Sequence, residues 1–359
     1  MTRPIRIALI GAGEIGAVHA QAHAAAPGNE LAAIYDIHAE RAGRLAEQTG
    51  TAVASSLETV LDDPGIEGVD ICVPNHLHCG LAVRALQAGK HVLCEKPIAL
   101  NLDDADAMLA AAERSKRWLM IGHVLRFWPE YVLAKQAIED GRIGELLLMS
   151  GRRMVSLLAG TPGADGWRRD PERSGGAVLD MQIHDLDVFR WILGTPESVV
   201  SRGVRSADGA WSHVFTAVDF ADGRKAFVEA SFLMQGNPLD IQFHILGSTG
   251  SLAWRYTPGA FALHGEQGQA SSGGPSLVLY RWGREPEGLY TPAEDSFAAA
   301  MRDQVAYFAA CIRTGQSPVR APATDSRLAL ALALASRESC QTGETVYLNR
   351  TKSRVFNGC

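Results

Sequence analysis

Cysteine is scarce in this chain and follows no pattern. The six residues Cys72, Cys79, Cys94, Cys311, Cys340 and Cys359 form no C-x-x-C pair and no C-x-x-C/H-x-x-x-H spacing, which argues against a disulfide framework and against a metal centre. Several fall inside apolar runs, so free thiols buried in a reducing cytoplasm are expected. Basic excess is missing too. The formal net charge is −6, whereas a nucleic-acid protein needs a basic stripe and attraction to anionic lipid needs a polybasic cluster. No apolar run approaches the roughly 20 residues of a membrane span. The N-terminal arginines and the run behind them look like a signal peptide only until Gly11, Gly13 and Glu14 interrupt it. There is no internal repeat. What remains is an ordinary soluble composition, 47% hydrophobic and 21% charged, on 359 residues. Single cores stop growing at roughly 250 to 300 residues, so two domains are expected.

The most informative stretch is Arg6-Ile7-Ala8-Leu9-Ile10-Gly11-Ala12-Gly13-Glu14-Ile15-Gly16. It reads as a buried strand, a glycine turn and a helix start, the context in which G-x-G-x-x-G binds a dinucleotide. Gly11 permits the tight turn, Gly13 lets backbone approach a pyrophosphate, and Gly16 lets the helix pack closely on the strand. The helix start at Glu14 and Ile15 offers free N–H groups and a positive dipole end to phosphates. A second apolar run, 31–35, ends at Asp36, about 20 residues past the glycines, where an acid accepts hydrogen bonds from ribose hydroxyls. The bland reading of Asp36 is a turn or N-cap residue. A carboxylate there repels a 2′-phosphate, which favours NAD over NADP, while His38 and Arg41 are nearby cations that could accept one. Asp36, Ile37 and Arg41 are the expected contacts at that end of the cofactor.

Apolar runs alternate with helical patterns through the first third. Helices are expected at 38–49, up to 62, from 78 to the Gly89 stop, and from the Asn101 N-cap to 115. Strands are expected at 51–54, 69–73, 91–94 and 118–121. This alternation implies a doubly wound parallel sheet of Rossmann type, with ligands beyond the carboxyl ends of the strands. Gly11 to Gly16, Val73-Pro74-Asn75 through His78, and Glu95-Lys96-Pro97 all follow strands at that edge and are expected to line one crevice. After about residue 122 the pattern changes. A helix at 129–139 precedes strand-like runs at 145–157, 198–204, 213–220, 225–234 and 240–246, with Ala221-Asp222-Gly223 as a hairpin turn. An antiparallel sheet in an α+β domain follows. Residues 265–275 read as a surface loop, helices resume at 293–314 and 324–342, and a strand at 346–348 closes the fold. The domains are therefore drawn at 1–122 and 123–350, with 351–359 a loose tail.

Two elements carry chemistry. Lys96, at the end of a buried strand beside the expected crevice, can hydrogen-bond a substrate hydroxyl or join in proton transfer if desolvation lowers its pKa. The alternative is a solvated loop lysine paired with Glu95. The second element is the stretch from Ser174-Gly175-Gly176 through Leu193, read as one amphipathic helix. Asp180 and His184 are i,i+4 on one face, so the carboxylate can orient the imidazole as a general base for an alcohol proton. On spacing alone the competing reading keeps His184 as a core histidine satisfied by Asp180, with Asp185 and Asp187 as solvated helix charges.

Taken jointly, Gly11-x-Gly13-x-x-Gly16, Pro74-Asn75, Glu95-Lys96-Pro97 and the helix bearing Asp180 and His184 resemble the Gfo/Idh/MocA family, that of glucose-fructose oxidoreductase and inositol dehydrogenase. The resemblance runs through Leu348. It implies an NAD(P)-dependent oxidoreductase acting on a hydroxyl of a sugar, cyclitol or glycoside. The C-terminal domain is then an open, mostly antiparallel sheet that often forms homodimers or homotetramers. By position, Lys96 resembles the family's active-site lysine and Asp180 with His184 its acid/base pair. Pro97 resembles its often cis proline, Asn75 and His78 residues beside the nicotinamide ribose, and Trp167-Arg168 a pair touching cofactor or substrate. Ser174 stands where a third glycine is frequent and His123 where asparagine is frequent. Substrate contacts are expected from Lys96, His123, Arg126, Trp167, Asp180 and His184, with Tyr290 near the selecting loops. The other function classes are a glycosidase or epimerase that borrows and returns the hydride, and a nonenzymatic NAD(H)-sensing regulator.

Overall fold

The computed structural model describes residues 3–156, 166–234, 239–256 and 276–348. The loop expected at 265–275 and the tail expected at 351–359 lie outside them. In chain order the first elements are β1 (Ile5–Ile10), α1 (Glu14–Ala25), β2 (Asn29–Tyr35), α2 (Ala39–Thr49), β3 (Ala52–Val53), α3 (Leu57–Asp62) and β4 (Gly68–Ile71). Then come α4 (His78–Gln87), β5 (His91–Cys94), α5 (Leu102–Ser115), β6 (Leu119–Ile121), α6 (Pro129–Glu139), β7 (Leu146–Val155) and α7 (Pro171–Ser174). They are followed by α8 (Ile183–Leu193), β8 (Pro196–Arg205), β9 (Trp211–Phe220), β10 (Lys225–Ser231), β11 (Leu239–Gly247) and β12 (Ser251–Tyr256). The last are β13 (Leu277–Tyr280), β14 (Glu287–Tyr290), α9 (Ser296–Thr314), α10 (Ala323–Thr342) and β15 (Val346–Tyr347). Two compact units emerge: Met1–Trp128 with Ser296–Arg327, and Pro129–Asp295 with Leu328–Cys359.

In the first unit six strands form one parallel sheet in the order β3-β2-β1-β4-β5-β6. Every residue of β4, and of β1 apart from Arg6, is buried. Helices on both faces of a parallel sheet require that, and it is why these strands read as continuous apolar runs. Helix boundaries follow local chemistry. Asn101 caps α5 by accepting the Asp104 amide at 2.8 Å, Ser56 caps α3, and Gly50 ends α2 in the left-handed region. Helix α9 packs on α1 and so joins this unit.

The second unit holds a nine-stranded sheet in the order β14-β13-β12-β11-β7-β10-β9-β8-β15. Its pairs are antiparallel except β7 with β10. Burial alternates along β9: Val214, Thr216 and Val218 face inward, whereas Phe215 is 54% exposed. Strands β12, β13 and β14 were not expected from the sequence, because their short runs lie around the Gly- and Ser-rich stretch. The single amphipathic helix expected from Ser174 is corrected. The chain forms α7, a left-handed pair at Gly175 and Gly176, a π-helical turn Val178–Gln182, and then α8. It is buried nearly all round, as a helix lying inside a layer must be. Asp185 and Asp187, the solvated charges of the competing reading, are fully buried.

Candidate active site

The first unit gathers its candidates along one sheet edge. β2, β1, β4, β5 and β6 are consecutive neighbours, so Asp36, the glycine turn, Val73 to His78, Glu95 to Pro97, and His123 all follow parallel strands at the same end. The turn is built for close approach. Gly11 has φ +104°, and a Cβ on it would stand 2.2 Å from the Cys72 carbonyl oxygen, while one on Gly16 would stand 2.0 Å from Gly11 O. At Gly13 a Cβ would meet nothing within 4 Å, and Gly13 starts α1 with no side-chain cap. An open, uncapped helix N-terminus is a cradle for phosphate. Asp36 ties β2 to this turn, its Oδ2 accepting the Ala12 amide at 2.7 Å and its Oδ1 the His38 amide at 2.7 Å. Each oxygen keeps a second lone pair for a ribose hydroxyl. Ile37 beside it is 80% exposed, an apolar surface at the rim, and Glu14 and Arg41 are exposed on the same side chains' run of turn and helix.

Farther along the edge, Asn75 is buried and Lys96 half-buried. The Lys96–Pro97 peptide is cis. His78 is buried, with Nδ1 donating to Pro97 O at 2.7 Å and Nε2 3.0 Å from Val73 O. It joins two of the strand-end loops to each other. Glu95 meets His19, its Oε1 lying 3.1 Å from His19 Nε2. Arg126, expected at the substrate, is 1% exposed and pairs with Asp325 at 2.9 Å and with Arg320 O at 3.2 Å. His123 is buried at the end of β6.

The second unit gathers the rest. Asp180 is 3% exposed and lies in the π-helical turn, a local widening that recurs at functional sites. Arg168 Nε stands 3.5 Å from Asp180 Oδ2, and its guanidinium lies over the Trp167 ring at 4.8 Å. Asp180, Arg168 and Trp167 are thus brought together. His184 follows one turn later, half-buried at the start of α8. Buried polar anchors hold this segment on the sheet. Gln182 donates to Val214 O and Val228 O and accepts from Thr216 and Ser336. Asp185 accepts from Arg153 Nε at 2.9 Å, and Arg153 also reaches Tyr131. Burial, then the Asp185 charge, pushes the Tyr131 hydroxyl well above its ordinary pKa, so that phenol stays neutral. Ser174, at the position of a frequent glycine, donates to Asp170 O and accepts the Gly176 amide, closing the turn before the glycine pair.

Residues 5–123 match the oxidoreductase family with an NAD-binding Rossmann fold, Gfo/Idh/MocA, and residues 131–253 match the C-terminal domain of that family. Inositol 2-dehydrogenase of Rhizobium meliloti is 34% identical over 259 residues, 69% of this chain and 75% of that protein. The chain belongs to the Gfo/Idh/MocA family. Levoglucosan dehydrogenase of Pseudarthrobacter phenanthrenivorans is 31% identical over 287 residues, 70% of this chain and 74% of that protein. A solved structure of levoglucosan dehydrogenase in complex with NADH and L-sorbose aligns with a TM-score of 0.84 at 25% identity, covering 97% of this chain and 99% of that chain.

Within this Gfo/Idh/MocA chain, sequence reasoning missed one group of buried residues, His19, His23 and Asp70. A signal was there. Asp70 sits in the middle of an apolar strand, and a carboxylate in a strand buried on both faces must find partners. Two histidines a helical turn apart after the glycine turn supply them.

Proposed function

We propose that this chain is an NAD-dependent dehydrogenase that oxidises a secondary hydroxyl of a sugar, cyclitol or glycoside. The observation that carries it is the cradle at Gly13 and the uncapped α1 N-terminus, with Asp36 after β2 on one side and Lys96 after β5 on the other, at the same end of one parallel sheet. Gly11, Gly13, Glu14 and Ile15 would hold the pyrophosphate, and Asp36, Ile37 and Arg41 the adenosine. Val73, Pro74, Asn75, Glu95 and Lys96 would flank the nicotinamide half. Asp36 presents a carboxylate where NADP would carry a phosphate, which favours NAD. When bound, the cofactor supplies the acceptor for the carbinol hydride.

The chain's own residues handle the proton. Asp180 orients His184 and stabilises its protonated form, His184 takes the hydroxyl proton, and Lys96 hydrogen-bonds the same oxygen as charge develops on it. Arg168 against Trp167 and Asp180 fixes the carboxylate. Inositol 2-dehydrogenase and levoglucosan dehydrogenase among the relatives support a polyhydroxylated ring as substrate. The test is reduced-nicotinamide absorbance with NAD across inositols, aldoses, anhydrosugars and glycosides. Net NADH with one ring class supports the reading. Turnover without net NADH indicates a borrowed hydride, and cofactor binding with no turnover indicates a sensor.

The same reading makes the protein a homodimer or homotetramer through the outer sheet face. Phe215, Phe227, Val204 and Leu246 are between 44% and 56% exposed, an apolar surface that supports an interface. Cytoplasmic location belongs to the same proposal. Among the described residues, no helix is long and apolar enough to cross a membrane.

A further inference from the structure

A cluster of titratable groups is buried directly behind Lys96, within the first unit. His19 and His23 come from α1, Asp70 from β4, Cys72 from the residue after it, and Glu95 from the end of β5. His19, His23 and Asp70 are at most 1% exposed and Glu95 8%. Asp70 Oδ2 accepts from His19 Nδ1 at 2.7 Å and from His23 Nε2 at 2.9 Å, and Oδ1 accepts the Cys72 thiol at 3.6 Å. Burial alone would raise the Asp70 pKa, but the His19 charge and the two imidazole hydrogen bonds carry it well below the carboxylate range.

His23 Nδ1 stands 3.1 Å from Asn29 Nδ2, and its Nε2 faces Asp70. His19 has a carboxylate oxygen at each nitrogen, Asp70 at Nδ1 and Glu95 Oε1 at 3.1 Å from Nε2. Both nitrogens therefore donate, and the ring is an imidazolium. Burial opposes that charge, and the Asp70 carboxylate outweighs it, so the His19 pKa is raised. Cys72, whose thiol pKa burial and Asp70 push up, stays neutral.

The clamp reaches the site through one residue. Glu95 gives Oε1 to His19 and Oε2 to the Lys96 amide, which donates at 3.2 Å. Gly122, after β6, leaves room for that carboxylate: a Cβ there would stand 2.5 Å from Glu95 Oε1. We propose that His19 is a positioning residue, an imidazolium clamped between Asp70 and Glu95 that fixes the Glu95 carboxylate and, through it, the backbone presenting Lys96. Its functional consequence rests on the role given to Lys96 above.

Three measurements on the full-length protein decide it. In long-range nitrogen–proton spectra of histidine-labelled protein, the His19 signals, assigned by their loss in His19→Gln, show a doubly protonated ring at about pH 7.5, a full unit above the ordinary histidine pKa. A neutral ring at that pH overturns the proposal. After reductive methylation with labelled formaldehyde, the Lys96 dimethyl signal, assigned with Lys96→Met, shifts in both His19→Gln and Gly122→Ala while that of Lys225 stays put. An unmoved Lys96 signal in both variants overturns it. In turnover with the best ring substrate of the panel, His19→Gln and Gly122→Ala lower kcat about 10- to 100-fold with KM little changed, the size of a small misplacement of a reacting group. Asp70→Asn lowers the His19 pKa toward its ordinary value, so kcat gains an alkaline limb and falls as the ring loses its proton. A wild-type pH profile in Asp70→Asn overturns the proposal. If no panel sugar turns over at all, the proposed function fails, while the histidine and lysine spectra still decide the clamp.

Discussion

At the residue scale the account rests on three side chains with different jobs. Lys96→Met and His184→Asn should each lower kcat by about 10²- to 10⁴-fold, the usual contribution of a positioned proton-transfer group. Their pH–rate profiles divide the labour: the change that removes the acidic limb of kcat removes the primary base, and wild-type turnover in both refutes the assignment. Asp36→Ser should weaken NAD binding by about tenfold or more, because a hydrogen bond to a charged acceptor contributes on the order of 1.5–3 kcal/mol, and should narrow the gap between NAD and NADP; titration of protein fluorescence reads both. The glycine turn and the placing of Asp36 beside it were legible in the sequence because both lie within one short βαβ unit. Arg126 and His78 were singled out too, but spacing does not reveal their partners, Asp325 and Arg320 O for Arg126 Nη1 and the Pro97 and Val73 carbonyls for the His78 ring. Those partners come from distant segments, and one sequence carries no sign of them.

At the element scale, the parallel sheet was readable because its strands are apolar on both faces and are separated by helices with ordinary caps and glycine stops. The segment around Asp180 was not. An i,i+4 pattern looks the same whether the turn is α or π, and the π-turn at Val178–Gln182 is fixed by tertiary anchors, Gln182 on the sheet and Asp185 on Arg153. Gln182→Leu keeps the volume but removes that anchor, and should lower kcat more than it raises KM if the π-turn aims Asp180. Strand β5 supplies a pH effect. His91 Nδ1 accepts the Trp118 amide at 3.0 Å, and burial, with Arg117 adding repulsion, lowers its pKa to about 4 from 6.5. The unfolded chain binds that proton first, so this site favours folding above about pH 6.5 and its contribution is lost as pH falls toward 4. His91→Gln keeps an acceptor for Trp118 and should flatten the decline of Tm between those values; an unchanged decline would show that His91 is not responsible.

At the scale of the whole molecule, the chain divides its work between a cofactor unit and a sheet unit, and the sheet has one face packed on helices and one turned outward. Its outer rows pair Phe227 with Ala217 and Ser150, and Phe215 with Arg202 and Glu229, mixing apolar surface with charges that a self-complementary interface can match. Phe215→Glu with Phe227→Glu should shift the protein toward monomer in sedimentation while leaving the Rossmann sheet folded; an unchanged mass would place the interface elsewhere. Strands β9 and β10 and the turn between them were expected from the sequence, whereas β12 to β14 were not, since short strands at the far edge gain their stability from pairing rather than from a pattern of their own. The central claim is that a nicotinamide cofactor and a ring hydroxyl exchange a hydride here. Absorbance of reduced nicotinamide, followed with NAD across inositols, anhydrosugars, aldoses and glycosides, tests it most directly. The account predicts net NADH with at least one polyhydroxylated ring, abolished by Lys96→Met; cofactor binding with no turnover on any of them would contradict it.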